Sequence, residues 1–228
     1  MGKGEIGQLK KELTDIINLK IDTDDIDYIP NEQEISKKKK AKNLQCSVMF
    51  VDMRNSTKMQ DKNGRKNMIK IYKMFAKLVT KAVEENCGNV MQIVGDGLLC
   101  LFVNKDMINS GQHAINAVRS INTYVKEAYN PLVETNWKID CGMGICSGHI
   151  LITRIGTRGK NKCCQLAFPS SITNYASKCC DNAGNNEVIF DEKTYEQLDS
   201  HDKKYSIDTI IDGYDGKFYR MQDIIWKI

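Results

Sequence analysis

Asn89-Val-Met-Gln-Ile-Val94 and Leu98-Leu-Cys-Leu-Phe-Val103 stand on either side of Gly95-Asp96-Gly97. Two apolar runs of strand length joined by a tight Asp-Gly turn predict a β-hairpin. Upstream, Asn86-Cys-Gly88 stops a helix whose face is traced by Ile69, Tyr72, Ala76, Val79 and Val83 at spacings of three and four. Before that helix, Cys46-Ser-Val-Met-Phe-Val51 is one continuous apolar run, as a central strand covered on both faces requires. Downstream, the pattern predicts a helix over 106–129, with Pro131 just beyond its end, and a second hairpin over 136–155 hinged near Ser147-Gly148. A helix over 170–181, a strand at Val188–Phe190, a short helix over 192–199 and a terminal strand pair complete the reading. The order β-α-β-β-α-β with C-terminal additions predicts an α+β, ferredoxin-like, mostly antiparallel sandwich.

The rest of the chain sets limits. Its 228 residues suit one generous domain. Residues 1–43 read as an amphipathic helix over 7–19 followed by a linker: the acidic stretch 22–27, a Tyr28-Ile-Pro30 turn and the run Lys37–Lys40. The main domain is expected over 44–228. The 33 basic and 29 acidic residues leave a net charge of +4 with the signs mixed, so no nucleic-acid partner is expected. No apolar run approaches the ~18 residues of a membrane span, and the N-terminus has no apolar leader region. Nine cysteines, an odd number, argue against a complete disulfide framework. Cys163-Cys164 and Cys179-Cys180 are adjacent pairs without zinc-site spacing, and a reducing cytoplasm fits best. His113, His149 and His201 share no metal-ligand spacing and read as structural or surface groups.

Chemistry points to Asp52 and Asp96. Asp52 ends the apolar first strand, and Asp96 occupies the turn of the hairpin. The topology lets both carboxylates emerge at one edge of the sheet, where they would repel unless a cation sat between them. Hard divalent ions take such oxygen ligands together with substrate phosphates. On spacing alone, Asp52 as a turn cap and Asp96 as an ordinary Asp-Gly turn residue is the favoured reading, because such turns are common. Asn55, Ser56 and Thr57 add small side chains and backbone N–H groups at an expected helix start, a favourable seat for phosphate. A Gly-x4-Gly-Lys phosphate loop is absent, and the one Gly-x-Gly-x-x-Gly run, Gly2 to Gly7, follows no strand, so a dinucleotide-binding loop has no support.

Four stretches carry a resemblance: Phe50-Val-Asp-Met-Arg-Asn-Ser-Thr57, Gln92-Ile-Val-Gly-Asp-Gly-Leu-Leu-Cys-Leu-Phe102, Gly142-Met-Gly-Ile-Cys-Ser-Gly148 and Thr173-Asn-Tyr-Ala-Ser-Lys178. Together, in this order, they resemble the motifs of class III nucleotidyl cyclases. The resemblance implies conversion of a nucleoside triphosphate to a 3′,5′-cyclic monophosphate and pyrophosphate. It further implies that Asp52 and Asp96, with the Met53 carbonyl, hold two divalent metal ions (Mn2+ or Mg2+). It places the active sites at the interface of a head-to-tail homodimer. Asn174 matches the asparagine that positions the ribose. Lys178 stands where most members carry an arginine that stabilises the transition state; lysine keeps the charge and loses the bidentate fork.

Purine cyclases read the base at two positions, which fall here on Gln92 and Ala167. Alanine offers no side-chain hydrogen bond to an adenine amino group, and Gln92 offers both a donor and an acceptor to a pyrimidine edge. These departures, with the Asp-Met-Arg-x-Ser-Thr run, are similar to the pyrimidine cyclases of bacterial Pycsar antiphage systems, whose cyclic nucleotide acts on a separate effector. UTP is then the expected substrate ahead of CTP. An adenylate cyclase and a catalytically silent nucleotide-binding module are the alternatives.

Overall fold

The computed structural model describes residues 3–31, 33–35, 40–157 and 163–227. Lys37 to Lys39, and the basic residues Arg158, Lys160 and Lys162, lie outside them. The chain opens with α1 (Lys3–Ile17) and β1 (Asp22–Ile26), then β2 (Lys40–Met53), α2 (Ser56–Glu85), β3 (Gly88–Val94), β4 (Gly97–Phe102) and α3 (Ser110–Tyr124). A π-helical turn (Val125–Tyr129) and the short α4 (Asn130–Leu132) lead to β5 (Cys141–Thr157) and β6 (Cys163–Ala167). α5 (Ser171–Asn182), β7 (Glu187–Asp191), α6 (Glu192–Glu196), α7 (Ser200–Tyr205), β8 (Ile207–Thr209) and β9 (Phe218–Gln222) finish it.

The main sheet runs β3-β4-β2-β5-β7-β9-β8. Its first four strands are antiparallel, the pairing and order a ferredoxin-like β-α-β-β-α-β unit produces. Alternation along β2 separates two cores. Met49, Val51 and Met53 face one way with Leu98, Cys100 and Phe102, under α2 and α3. Cys46 and Val48 face the other way with Leu99 and Leu101, under Ala176 and Cys179 of α5.

Three expectations fail. The acidic stretch read as linker supplies β1, which pairs in parallel with Lys40–Leu44, and Lys42 Nζ donates to Asp24 Oδ2 at 3.0 Å. Charged side chains suit an exposed edge strand, and that is why hydropathy hid it. The hairpin expected at 136–155 is instead the first part of one continuous strand, β5, with no hinge at Ser147-Gly148; its hairpin partner is β6. The glycines there serve close packing. A Cβ on Gly148 would lie 2.9 Å from Ile172, and one on Gly144 would run into the backbone of α5 at Ala176 and Cys180. The helix expected at 106–129 is also shorter: Lys105 and Ile108 form a bridged turn, and the last residues wind as a π-helix.

Candidate active site

β2 delivers the first acidic group. Asp52 pairs with Gly97 across β2 and β4, so the strand end carrying Asp52 lies beside the turn carrying Asp96. By alternation, Asp52 faces the α5 side of the sheet, and its Oδ1 would lie 3.5 Å from a Cβ on Gly97. The two carboxylates feel each other. The Asp52 pKa is raised, first by burial and then by the charge of Asp96, with Asp181 adding to it and Arg54 opposing it. The same two charges raise the Tyr72 hydroxyl, after burial. A half-buried carboxylate destabilised by a like charge is a receptive place for a cation. With the Met53 carbonyl, the donors are all oxygen, the set hard divalent ions take.

That raised value fixes a sign. Asp52 ionises less readily folded than unfolded, so its charge subtracts stability as pH rises past the ordinary carboxylate value. Asp52→Asn is therefore expected to melt higher than wild type at pH 7 in metal-free buffer, with the gap closing toward roughly pH 4. Thermal scans at the two pH values check it.

A cleft of about 250 Å3 joins Asp52, Gln92, Val94 and Gly97 to Ser177, Cys180 and Asp181 on α5. Gln92 is held on its donor side, Nε2 donating to the Leu166 carbonyl at 2.5 Å, directly before Ala167. The two expected base-reading positions thus meet through the backbone. Asn55 adopts left-handed φ (59°) as the N-cap of α2, which starts at Ser56 where a helix start was expected; Thr57 is exposed on its first turn. Asn174 and Lys178 do not line this cleft. They sit exposed on α5 while Thr173, Ala176, Cys179 and Cys180 point inward. Lys178 Nζ lies 3.6 Å from Asp181 Oδ2.

Sequence reasoning missed Asp181 and Arg54. Arg54 Nη1 is 3.7 Å from Asp52 Oδ2, and its Nη2 donates to the Cys180 carbonyl. The two form an ion pair in which the Asp52 side chain stays 38% exposed against 16% for Arg54, so the carboxylate remains open to a further cation. Elsewhere, Asp199, His201 and Asp202 bring ligand atoms within 4.8 Å of one another, a grouping that residue spacing did not reveal. Asp202 there is fully buried and already engaged by Arg119 and by Gln112 Nε2 at 2.7 Å. Cys46, Cys87, Cys100, Cys141, Cys146, Cys179 and Cys180 are free, with Cys146 and Cys179 Sγ 3.9 Å apart. Among the described residues no helix is long and apolar enough to cross a membrane.

Comparison with known proteins agrees with this geometry. Residues 38–215 match the adenylate and guanylate cyclase catalytic domain. A uridylate cyclase of Burkholderia cepacia is 26% identical over 182 residues, 77% of this chain and 77% of that protein. A uridylate cyclase of Treponema porcinum is 22% identical over 201 residues, 85% of this chain and 68% of that protein. In structure, the chain resembles the catalytic core of a rhodopsin-guanylyl cyclase with converted specificity, in complex with ATPαS, at a TM-score of 0.66 and 16% identity, covering 80% of this chain and 97% of that one. The adenylyl cyclase CyaB of P. aeruginosa superimposes at a TM-score of 0.63 and 16% identity, over 79% and 94% of the two chains. Strand order, paired acidic strand ends and a motif match over most of the sequence agree: the chain belongs to the class III nucleotidyl cyclase family.

Proposed function

We propose that this chain is a uridylate cyclase, converting UTP to 3′,5′-cyclic UMP and pyrophosphate. The observation that carries the reading is the joining of Gln92 to the Leu166 carbonyl, with Ala167 next to it. One amide hydrogen is committed to that carbonyl. The Gln92 Oε1 is left to accept from a base N–H, and the second amide hydrogen to donate to a base carbonyl. Uracil offers this pair at N3–H and O4. Cytosine carries no hydrogen at N3, and adenine would find no side-chain partner at Ala167 for its amino group. The uridylate cyclases of Burkholderia and Treponema support the same choice.

In the reaction the ribose 3′-oxygen bonds the α-phosphorus, the bond to pyrophosphate breaks, and the 3′-hydroxyl proton is lost. Asp52, Asp96 and the Met53 carbonyl would hold two divalent ions, Mn2+ or Mg2+, which when bound acidify the 3′-hydroxyl and offset charge on the leaving pyrophosphate. Asn55, Ser56 and Thr57 face the triphosphate at the start of α2. Asn174 orients the ribose, and Lys178 places a point charge against the transition state. Asn174 and Lys178 stand exposed on α5, open to serve the site of a second copy in the head-to-tail homodimer that the family resemblance implies. Residues 44–228 form the catalytic domain. The cyclic nucleotide is a signal read by a separate effector, in the manner of the antiphage systems the sequence resembles, within the cytoplasm.

The test is the Gln92→Ala variant. Loss of both Gln92 base contacts is expected to lower kcat/KM for UTP by at least about tenfold, with a much smaller change for ATP. A wild-type enzyme that strongly prefers ATP, or a variant indifferent to the base, overturns the assignment.

A further inference from the structure

Arg54 occupies an unusual place for a cation. It follows Met53 directly, its backbone N–H donates to the Asp140 carbonyl at 2.9 Å, and its side chain lies across β5 over Gly142. A Cβ on Gly142 would coincide with the guanidinium. From there Nη2 reaches the Cys180 carbonyl at the end of α5, with the Cys180 Sγ at 3.8 Å, while Nη1 turns to Asp52 Oδ2 at 3.7 Å. Nε is buried and makes no hydrogen bond among the described residues. A guanidinium with an unpartnered buried N–H carries a desolvation cost. The arrangement makes sense if the fork is kept for the two acceptors it spans.

We propose that Arg54 is a positioning residue: seated on Gly142, it ties the Asp52 carboxylate to the C-terminal end of α5 and so fixes the direction from which Asp52 meets a divalent cation. The inference rests on the cyclase reading of Asp52. The planar fork matters here because one group must serve two acceptors at a fixed angle, which an ammonium cannot do. Gly142 belongs to the same device, since any side chain there would evict the guanidinium.

Sign separates this role from a simple counter-charge. A cation that merely competed with the metal would, once removed, let Mn2+ bind more tightly. A positioning residue, once removed, makes Mn2+ bind more weakly, by the roughly 10-fold or more typical of groups that orient a metal ligand. The experiment titrates Mn2+ into the full chain without nucleotide and follows free Mn2+ by electron paramagnetic resonance. Arg54→Met is expected to weaken binding about tenfold, and Arg54→Lys to restore only part of it. Gly142→Ala keeps every charge, its methyl meets first the far end of the flexible Arg54 side chain, and it should reproduce the loss. Added to Arg54→Met, it should cost little more, as expected for two changes acting through one group. Circular dichroism confirms that each variant is folded. Wild-type binding that is unchanged or tighter in Arg54→Met and Gly142→Ala overturns the role of Arg54 alone. A wild-type chain that takes up no Mn2+ and turns over no nucleotide overturns the cyclase reading and this inference with it.

Discussion

Asp52→Ala and Asp96→Ala are each expected to abolish nucleotide turnover while leaving the chain folded. Both carboxylates stand at one rim of the sheet, and the charge of Asp96 already raises the Asp52 pKa. Each would ligate the ions that the reaction needs, and ion stabilisation of transition-state charge is worth several kcal/mol, so kcat should fall at least about 10³-fold in either variant. The double variant should be scarcely worse than either single one, because groups acting as a unit lose their effect together. Pyrophosphate release from UTP with Mn2+ measures all three. Either single variant keeping more than roughly a tenth of wild-type activity would remove that carboxylate from the site. Thermal unfolding of the metal-free proteins should show no loss of stability at Asp52, since its charge is unfavourable in the fold.

The second large effect lies in the packing. Gly144→Ala puts a methyl group into the backbone of α5, 2.8 Å from the Cys179 carbonyl carbon and closer still to Ala176 and Cys180. Backbone on both sides leaves nothing flexible to yield. The cost should reach about 3 kcal/mol or more, a fall in Tm of roughly 6–12 °C for a chain of this size. Activity should fall with it, because α5 carries Asn174 and Lys178. Gly148→Ala is the internal comparison: its new methyl would meet the Ile172 side chain, at 2.9 Å, and that chain can rotate, leaving the φ of 159° as the remaining strain. A Gly144→Ala protein that melts with wild type would mean α5 does not lie on β5 as described.

Where a segment's own pattern decided its structure, the sequence was readable. The run Cys46–Val51, the hairpin about Gly95-Asp96-Gly97 and the helix at 170–181 all fold as expected, and the topology they imply brings Asp52 beside the Asp96 turn. The failures have one cause. β1 is polar because it is an exposed edge, and the glycines of β5 answer to a helix packed on top of them, so neither signal is local. The same holds at the site. Asp52 and Asp96 were visible because each ends or turns a strand. Arg54 was not, because its role is set by Gly142 and by Cys180, 126 residues away in the chain. Asp181 likewise approaches Asp52 only through the placement of α5 on the sheet.

The sharpest test offers the purified enzyme all four ribonucleoside triphosphates in equal amounts with Mn2+ and identifies the cyclic products by mass spectrometry. Cyclic UMP as the dominant product is the expected result. A product pool dominated by cyclic AMP or cyclic GMP would contradict the reading of Gln92 and Ala167, and the absence of any cyclic nucleotide would contradict catalysis at Asp52 and Asp96 itself.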